Sequence, residues 1–423
     1  MKTDLAALIL AGGRGSRLNL IAAKRAKPAV PFAGMYRIID FTMSNVMASG
    51  IRHVGVLTQY RPTSLMEHLG DGESWDLAGR TASLKVLPPS LGRTDSDWYQ
   101  GTADAVWQNL AWLRQIAPQD VLILSGDHVY AMDYRPMLAA HRRAGADLTI
   151  ASMAVPWDQT DRFGVMVCDA EGRVTRFVEK SRERVSNVAN MGVYIFRRDV
   201  LVEELAANCP AGRHDFGAHV IPGMLGRRAV IAHPFAGYWR DVGTLDSYWS
   251  ANMDALQPEA TGLDLFAWRV RTNMAGRGQV YHPPARLADG GQARDSLLGR
   301  GCVIAGEVRD SVLSPGVRVA AGARVVGSVV LHDCVIGPGA RVARCILDKD
   351  VHVGAGASVG REDCLDGVNL AFPTHLSGGI TVVGKGTSIP DGARVGANVL
   401  IGPGVRSGDF GDAGVVPDGA TLP

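Results

Sequence analysis

The 423-residue sequence contains no uninterrupted apolar run approaching the roughly 20 residues that a membrane-spanning helix needs. It has no lysine- or arginine-rich tail either. A formal net charge of +2 with 20% charged residues does not point to nucleic acid or a membrane surface as partner. The N-terminal "MKTDLAALIL" has too short an apolar stretch for a secretory signal and places Asp4 where positive charge is expected. Six cysteines are scattered (Cys168, Cys209, Cys302, Cys334, Cys345, Cys364) and no CxxC pair occurs, so reduced, mostly buried thiols in a cytoplasmic protein are expected, without a zinc site. No GxxxxGK[ST] run is present, which excludes a Walker-type phosphate loop.

What is present divides into two grammars. Up to about residue 255, compact apolar runs ("LAALILA" 5–11, "HVGVLTQ" 53–59, "VLILSGD" 121–127, "LTIASMAV" 148–155) alternate with amphipathic stretches such as 101–116 and 134–145. This alternation predicts an α/β domain with a doubly wound, mostly parallel sheet and a ligand site beyond the strands' carboxyl ends. "ALQPEATGLD" (255–264) resembles a linker. Aliphatic residues then recur about every six positions: Leu313, Val319, Val325, Leu331, Ile336, Val342, Leu347, Val353 and Val359, then Val383, Ile389, Val395 and Ile401. Six-residue spacing with small turn residues predicts a parallel β-helix, with 361–379 a loop leaving the stack. The expected boundaries are a first domain at 1–255, a linker and entry strand at 256–280, and a β-helix at 281–423.

Several short motifs carry charge at the ends of these runs. "LILAGGRGSRL" (8–18) is a strand followed by a glycine turn, but its GxGxxG pattern lacks the third glycine of a dinucleotide fold. The turn either cradles phosphate through backbone N–H groups, helped by Arg17 and Lys27, or is a structural turn with a basic face. Asp127 in "LSGDHVY" and Asp241 in "YWRDVGT" follow strands, where a carboxylate either holds Mg²⁺ or caps a turn. Glu179 and Lys180 in "FVEK" form a strand-end pair. Tyr99, Gly101 and Thr102 in "DWYQGTADAV" adjoin a helix start suited to a base or a phosphate. "HDFG" (214–217) matches a kinase signature without the accompanying kinase motifs.

As an ordered set, "LAGGRGSRL", "KRAKPAVPF", "YRIIDF", "GTADAV", "GDHVY", "FGV", "FVEK", "MGVYIF", "HDFG", "YWRDVGT" and the hexapeptide series resemble the bacterial glucose-1-phosphate adenylyltransferases over nearly the whole chain. The resemblance implies a Rossmann-like nucleotidyltransferase domain, a left-handed β-helix, a homotetramer, and a reaction of ATP with α-D-glucose 1-phosphate giving ADP-glucose and pyrophosphate for glycogen synthesis. It implies Arg17, Lys27, Asp127 and Asp241 as catalytic, with Mg²⁺ held by Asp127 and Asp241. Gly12, Gly13, Gly15, Ser16, Arg17 and Gly101 are implied in nucleotide binding, and Tyr99, Gly164, Glu179, Lys180 and Asn190 in sugar-phosphate binding. A small-molecule effector is also implied, with Arg37 and Arg52 as regulatory anion contacts.

Three departures matter. "LPPSLGR" (87–93) replaces a glutamine-containing stretch that reads adenine, Asn190 stands where a serine is usual, and 181–188 is short with Ser181 in place of a proline. In "FAGM", Met35 occupies a position where many members carry a lysine, so weak or different activation by an anionic effector is expected. Three other readings compete: a catalytically silent subunit of the same fold, a pyrophosphorylase using another nucleotide or sugar, and an acyltransferase on the β-helix with His332 or His352 as base. The two histidines are also expected as surface positions on turns.

Overall fold

A computed structural model describes residues 4–13, 15–89, 98–275, 282–363 and 367–423, with Ser16 and Asn19 described by backbone alone. The Ser16 side chain, positions 90–93, linker residues 276–280 and Cys364 therefore lie outside the described residues. Of the five described cysteines, none is paired and all but Cys168 are buried.

Four strands form the parallel half of the first domain, in the spatial order Ser83–Leu87, His53–Leu57, Leu5–Leu10, Asp120–Ser125. Successive side chains on a strand point to opposite faces. Ala6 and Leu8 thus join the core under the helices Thr102–Gln108, Leu110–Ile116 and Arg198–Asn208. Ala7 and Ile9 join the opposite core, under Ile38–Ala48, Thr63–Leu69 and Arg135–Arg143. Burial on both faces explains why the strand reads as a continuous apolar run.

Beyond Asp120–Ser125 the sheet turns antiparallel. Val188–Arg197 is ten residues long and pairs with Asp120–Ser125, Leu148–Ala154 and Gly164–Cys168, all antiparallel. Gly164–Cys168 and Val174–Glu179 form a hairpin, and Val230–Pro234 lies parallel to Leu148–Ala154. The sheet is thus mixed, whereas the apolar runs suggested a mostly parallel one. The hairpin's connection is too short for a parallel crossover, which needs a dozen or more residues.

The C-terminal domain winds through three sheets of short parallel strands. Each contributes one inward ladder: Ile304–Val319–Ile336–Val353–Ile389, Val308–Val325–Val342–Val359–Val395–Val416, and Leu298–Leu313–Val330–Leu347–Val383–Ile401–Leu422. Leu331 is a correction. Val330 takes the inward position opposite Leu313 and Leu347, because the step from Val325 to the next inward residue takes five residues instead of six. His332 is buried, while His352 is exposed on a strand, so neither is a surface turn residue.

The third sheet is also apolar on its outer side, through Leu297, Val312, Val329, Ile346, Val382 and Leu400. Most of that row packs with Leu18, Ile21, Phe32, Ile38, Phe41, Leu245 and Tyr248 of the first domain in one shared core. The loop leaving the stack adds Leu376 to the same core, and Ile380, just before the next strand, joins it. Arg25 reaches across the junction to both oxygens of Asp348, at 2.9 and 3.0 Å, with both side chains buried.

Candidate active site

Leu5–Leu10 pairs with His53–Leu57 on one side and Asp120–Ser125 on the other. The chain order therefore reverses there, and the crevice past the strands' carboxyl ends is where doubly wound sheets bind ligands. The glycine loop leaves the end of one strand and Asp127 leaves the end of its neighbour, stitched together where the Gly126 N–H donates to the Leu10 carbonyl at 3.0 Å. Gly15 has φ of +63°, and a Cβ there would lie 3.1 Å from the Cβ of Lys27. Glycine thus serves both the turn and the approach of Lys27.

Asp241 arrives on a two-stranded ribbon. Trp239–Asp241 runs antiparallel to His128–Tyr130, with Asp241 directly opposite His128. The Lys27 Nζ donates to Asp127 Oδ2 at 2.8 Å and to Asp241 Oδ1 at 2.9 Å. Ser125 Oγ bonds the other Asp127 oxygen.

The charges within this group stabilise one another, one ammonium against two carboxylates. Burial alone would lower the Lys27 ammonium's pKa, but Asp127 and Asp241 raise it above the ordinary value. Burial alone would raise the Asp127 carboxyl, but Lys27, His128 and the Ser125 hydrogen bond hold it far below the usual carboxylate range. Asp241 is likewise lowered, against burial and the repulsion of Asp127, chiefly by Lys27 and His128. All three groups are charged at neutral pH.

Two cavities of about 300 Å³ each meet here, sharing Leu10, Thr102, Ser125, Asp127 and Asp215. The first is walled by Gly12, Gly13, Gln59, Tyr99 and Gly101. The second holds Arg17, Lys27, Gly164, Glu179, Lys180, Asn190 and Asp241. Tyr99 therefore lies with the glycine loop and not with the other residues expected around a sugar phosphate. Burial pushes its phenol up to about 12, keeping it protonated as donor to the Leu87 carbonyl at 2.9 Å.

Glu179 is held close between two glycines. A Cβ on Gly164 would come within 2.6 Å of its Oε2, and one on Gly217 within 2.5 Å. Lys180 pairs with Glu179 at 3.0 Å and has φ of +45°. Asn190 donates to the Tyr194 hydroxyl at 2.7 Å and accepts from the Gly192 N–H at 2.9 Å. The candidate regulatory arginines are not brought together. Arg37 donates to Ser64 Oγ at 2.9 Å and to the Ser64 carbonyl at 2.8 Å, whereas Arg52 lines a separate cavity of about 710 Å³.

Sequence reasoning passed over His128, Arg162, Asp215 and Gly217, all of which line the second cavity. "HDFG" was the available signal. Its Asp215 accepts from the Thr102 hydroxyl at 3.0 Å, tying the helix of "GTADAV" to Gly217. Asp127, His128 and Asp241 each offer a donor atom, all within 4.8 Å of one another. The Lys27 ammonium between the two carboxylates shows that the group accommodates a cation, and carboxylate and imidazole donors suit a divalent metal.

Residues 6–258 match the family model described as nucleotidyl transferase, and residues 283–383 match the one described as GlmU-like, C-terminal hexapeptide. A sheet with a glycine turn and paired aspartates at the switch point, followed by a hexapeptide β-helix and matching the nucleotidyl transferase family model, defines the chain as a nucleotidyltransferase. A protein of Thermomicrobium roseum is 49% identical, covering 99% of this chain and 98% of the relative. Proteins of Acetivibrio thermocellus (42% identical, 97% and 95%) and Thermotoga neapolitana (43%, 96% and 96%) are similar over the same extent. All three are named glucose-1-phosphate adenylyltransferase. The chain belongs to the glucose-1-phosphate adenylyltransferase family.

Proposed function

We propose that this protein transfers the adenylyl group of ATP to α-D-glucose 1-phosphate, releasing pyrophosphate and supplying ADP-glucose for α-glucan synthesis. The observation that carries this reading is the pair of cavities meeting at Asp127, with Lys27 between two carboxylates, in a chain of this family. A phosphate oxygen of the sugar substrate attacks the α-phosphorus of ATP. The new O–P bond forms as the bond to the β-phosphate oxygen breaks, and pyrophosphate carries the electron pair away.

Both reactants are anions, so the protein's task is to align them and neutralise charge. The backbone of Gly12, Gly13 and Gly15 and the Arg17 guanidinium hold the β- and γ-phosphates. Gly101 packs against the nucleotide, and Lys27 faces the α-phosphate. Glu179 accepts hydrogen bonds from glucose hydroxyls, Asn190 orients another, and Lys180 holds the sugar's phosphate beside Gly164. Tyr99 walls the nucleotide lobe. Mg²⁺, held by Asp127 and Asp241, supplies charge neutralisation at the reacting phosphates when bound. We divide the chain into a catalytic domain (1–255), a linker (256–280) and a β-helix platform (281–423), and read the assembly as a homotetramer.

The test is pyrophosphate release by the purified full chain, with four nucleoside triphosphates against several sugar 1-phosphates. The expected result is strong preference for ATP with glucose 1-phosphate. Preference for another pair would transfer the reading to a different pyrophosphorylase, and no release with any pair would leave a silent subunit.

A further inference from the structure

His128 takes no part in the assignments above, yet its ring is fixed. Nδ1 lies 3.1 Å from the Met191 carbonyl, and the ring meets Trp239 edge-on at 5.4 Å between centroids. A carbonyl oxygen can only accept, so Nδ1 carries a proton and Nε2 is the nitrogen left for other use. Nε2 stands 3.6 Å from Asp127 Oδ1 and 3.8 Å from Asp241 Oδ1.

In the neutral ring this nitrogen turns a lone pair toward two carboxylate oxygens. Three acceptors facing one space repel unless a cation lies between them. The Lys27 ammonium contacts the two carboxylates, and no hydrogen bond joins it to His128 among the described residues. The separations also exceed the roughly 2.7–2.9 Å of a charge-assisted hydrogen bond. They match the spacing of donors sharing one ion, since ligands about 2.1 Å from a metal lie about 3–4 Å apart. A ring N–H on a backbone carbonyl is, in addition, the usual way that a metal-bound histidine is oriented.

We propose that His128 is a third donor to the divalent metal of this site, through Nε2, with the Met191 carbonyl holding its other nitrogen. This rests on the reading of Asp127 and Asp241 as metal ligands. A nitrogen donor among carboxylates favours Mn²⁺ or Co²⁺ relative to an all-oxygen site, which suits Mg²⁺ best. The protein should therefore bind Mn²⁺ more tightly than carboxylates alone account for.

Pulsed electron paramagnetic resonance of Mn²⁺ bound to the full chain, labelled with ¹⁵N-histidine, decides the question. It is run with and without α,β-methylene-ATP, so that a weak site in the free protein is still filled. A ¹⁵N coupling is expected in the wild type and should vanish in His128→Gln. Mn²⁺ affinity should fall about tenfold or more in that variant. If Mn²⁺ binds in a manner abolished by Asp127→Asn, yet the wild type shows no ¹⁵N coupling, the role of His128 is overturned and the carboxylate site stands. If Mn²⁺ does not bind under either condition, the metal reading falls and this proposal with it. The wild-type spectrum decides even if His128→Gln misfolds.

Discussion

A lysine with only 7% of its side chain exposed keeps its charge only where that charge is matched, and Lys27 meets a carboxylate on each side. The same contact works in reverse, because Asp127 and Asp241 repel each other unless a cation sits between them. Lys27→Met should therefore lower stability by on the order of 3 kcal/mol when metal is chelated. Mg²⁺ should restore much of that loss, while raising the wild-type melting temperature far less. Turnover should fall by about 10²-fold or more with metal present, since the positive charge facing the α-phosphate is gone. Thermal unfolding in EDTA and in Mg²⁺, beside a pyrophosphate assay, checks both effects. Equal melting temperatures of variant and wild type in EDTA would show that Lys27 does not balance the pair. At this scale the meeting of Lys27, Asp127 and Asp241 was foreshadowed by charged residues placed just after apolar runs. His128 was not legible, since a histidine beside an aspartate acquires meaning only once the Met191 carbonyl and Asp241 are seen around it. Nor was the lobe of Tyr99, which depends on its hydroxyl docking at Leu87.

Among the secondary-structure elements, the central strand Asp120–Ser125 carries Asp127 into the site at one end and is anchored at the other. Asp120 is buried, accepts from Arg142 Nε at 2.8 Å and lies 3.7 Å from His141 Nε2, so the helix Arg135–Arg143 clamps the strand's start. Burial would raise the Asp120 carboxyl, but its hydrogen bonds and the charges of His141 and Arg142 lower it overall. A depressed folded-state pKa gives stability that is present above the unfolded pKa and lost as pH falls through the folded one. Asp120→Asn should thus destabilise by about 1–3 kcal/mol near neutral pH. The gap should narrow as pH drops through and below the carboxylate range, which denaturant unfolding at a series of pH values measures; a gap independent of pH would refute the charge argument. The parallel strands were legible as unbroken apolar runs because both their faces are covered. The antiparallel half was harder, because a strand such as Val188–Arg197 is interrupted by a register shift between Asn190 and Tyr194 that breaks simple alternation. In the β-helix the inner ladders between Leu313 and Ile401 were legible from six-residue spacing except at Leu331, where the step from Val325 to the inward Val330 takes five residues.

Across the whole molecule, the two domains share one core, and its trace in the sequence is a doubling of apolar residues. The other two sheets mix Arg318–Val319, Arg324–Val325 and Arg394–Val395 with doublets such as Val303–Ile304, Val335–Ile336 and Val415–Val416, whereas the third sustains the doubling as Val312–Leu313, Val329–Val330, Val382–Val383 and Leu400–Ile401. The outer member of each third-sheet doublet has a partner only because the first domain docks there, a fact that the repeat's spacing alone does not contain. Within this apolar junction lies the Arg25–Asp348 pair, two residues before Lys27. Taking two charges out of water is costly, and their attraction roughly offsets that cost only while both are present. Arg25→Met should therefore destabilise by about 3–5 kcal/mol, leaving Asp348 buried without its partner, and Asp348→Leu should do the same to Arg25. The double variant should recover most of the loss, since an apolar pair of similar bulk suits the surrounding core. Activity separates a structural strut from one that positions the site. If the β-helix holds the loop that carries Lys27, the double variant regains stability yet keeps a reduced kcat with little change in KM. A double-mutant cycle of denaturant unfolding beside steady-state kinetics makes the distinction. Full recovery of both would confine Arg25 to the fold, whereas additive losses of stability would mean that the two charges do not act as a pair.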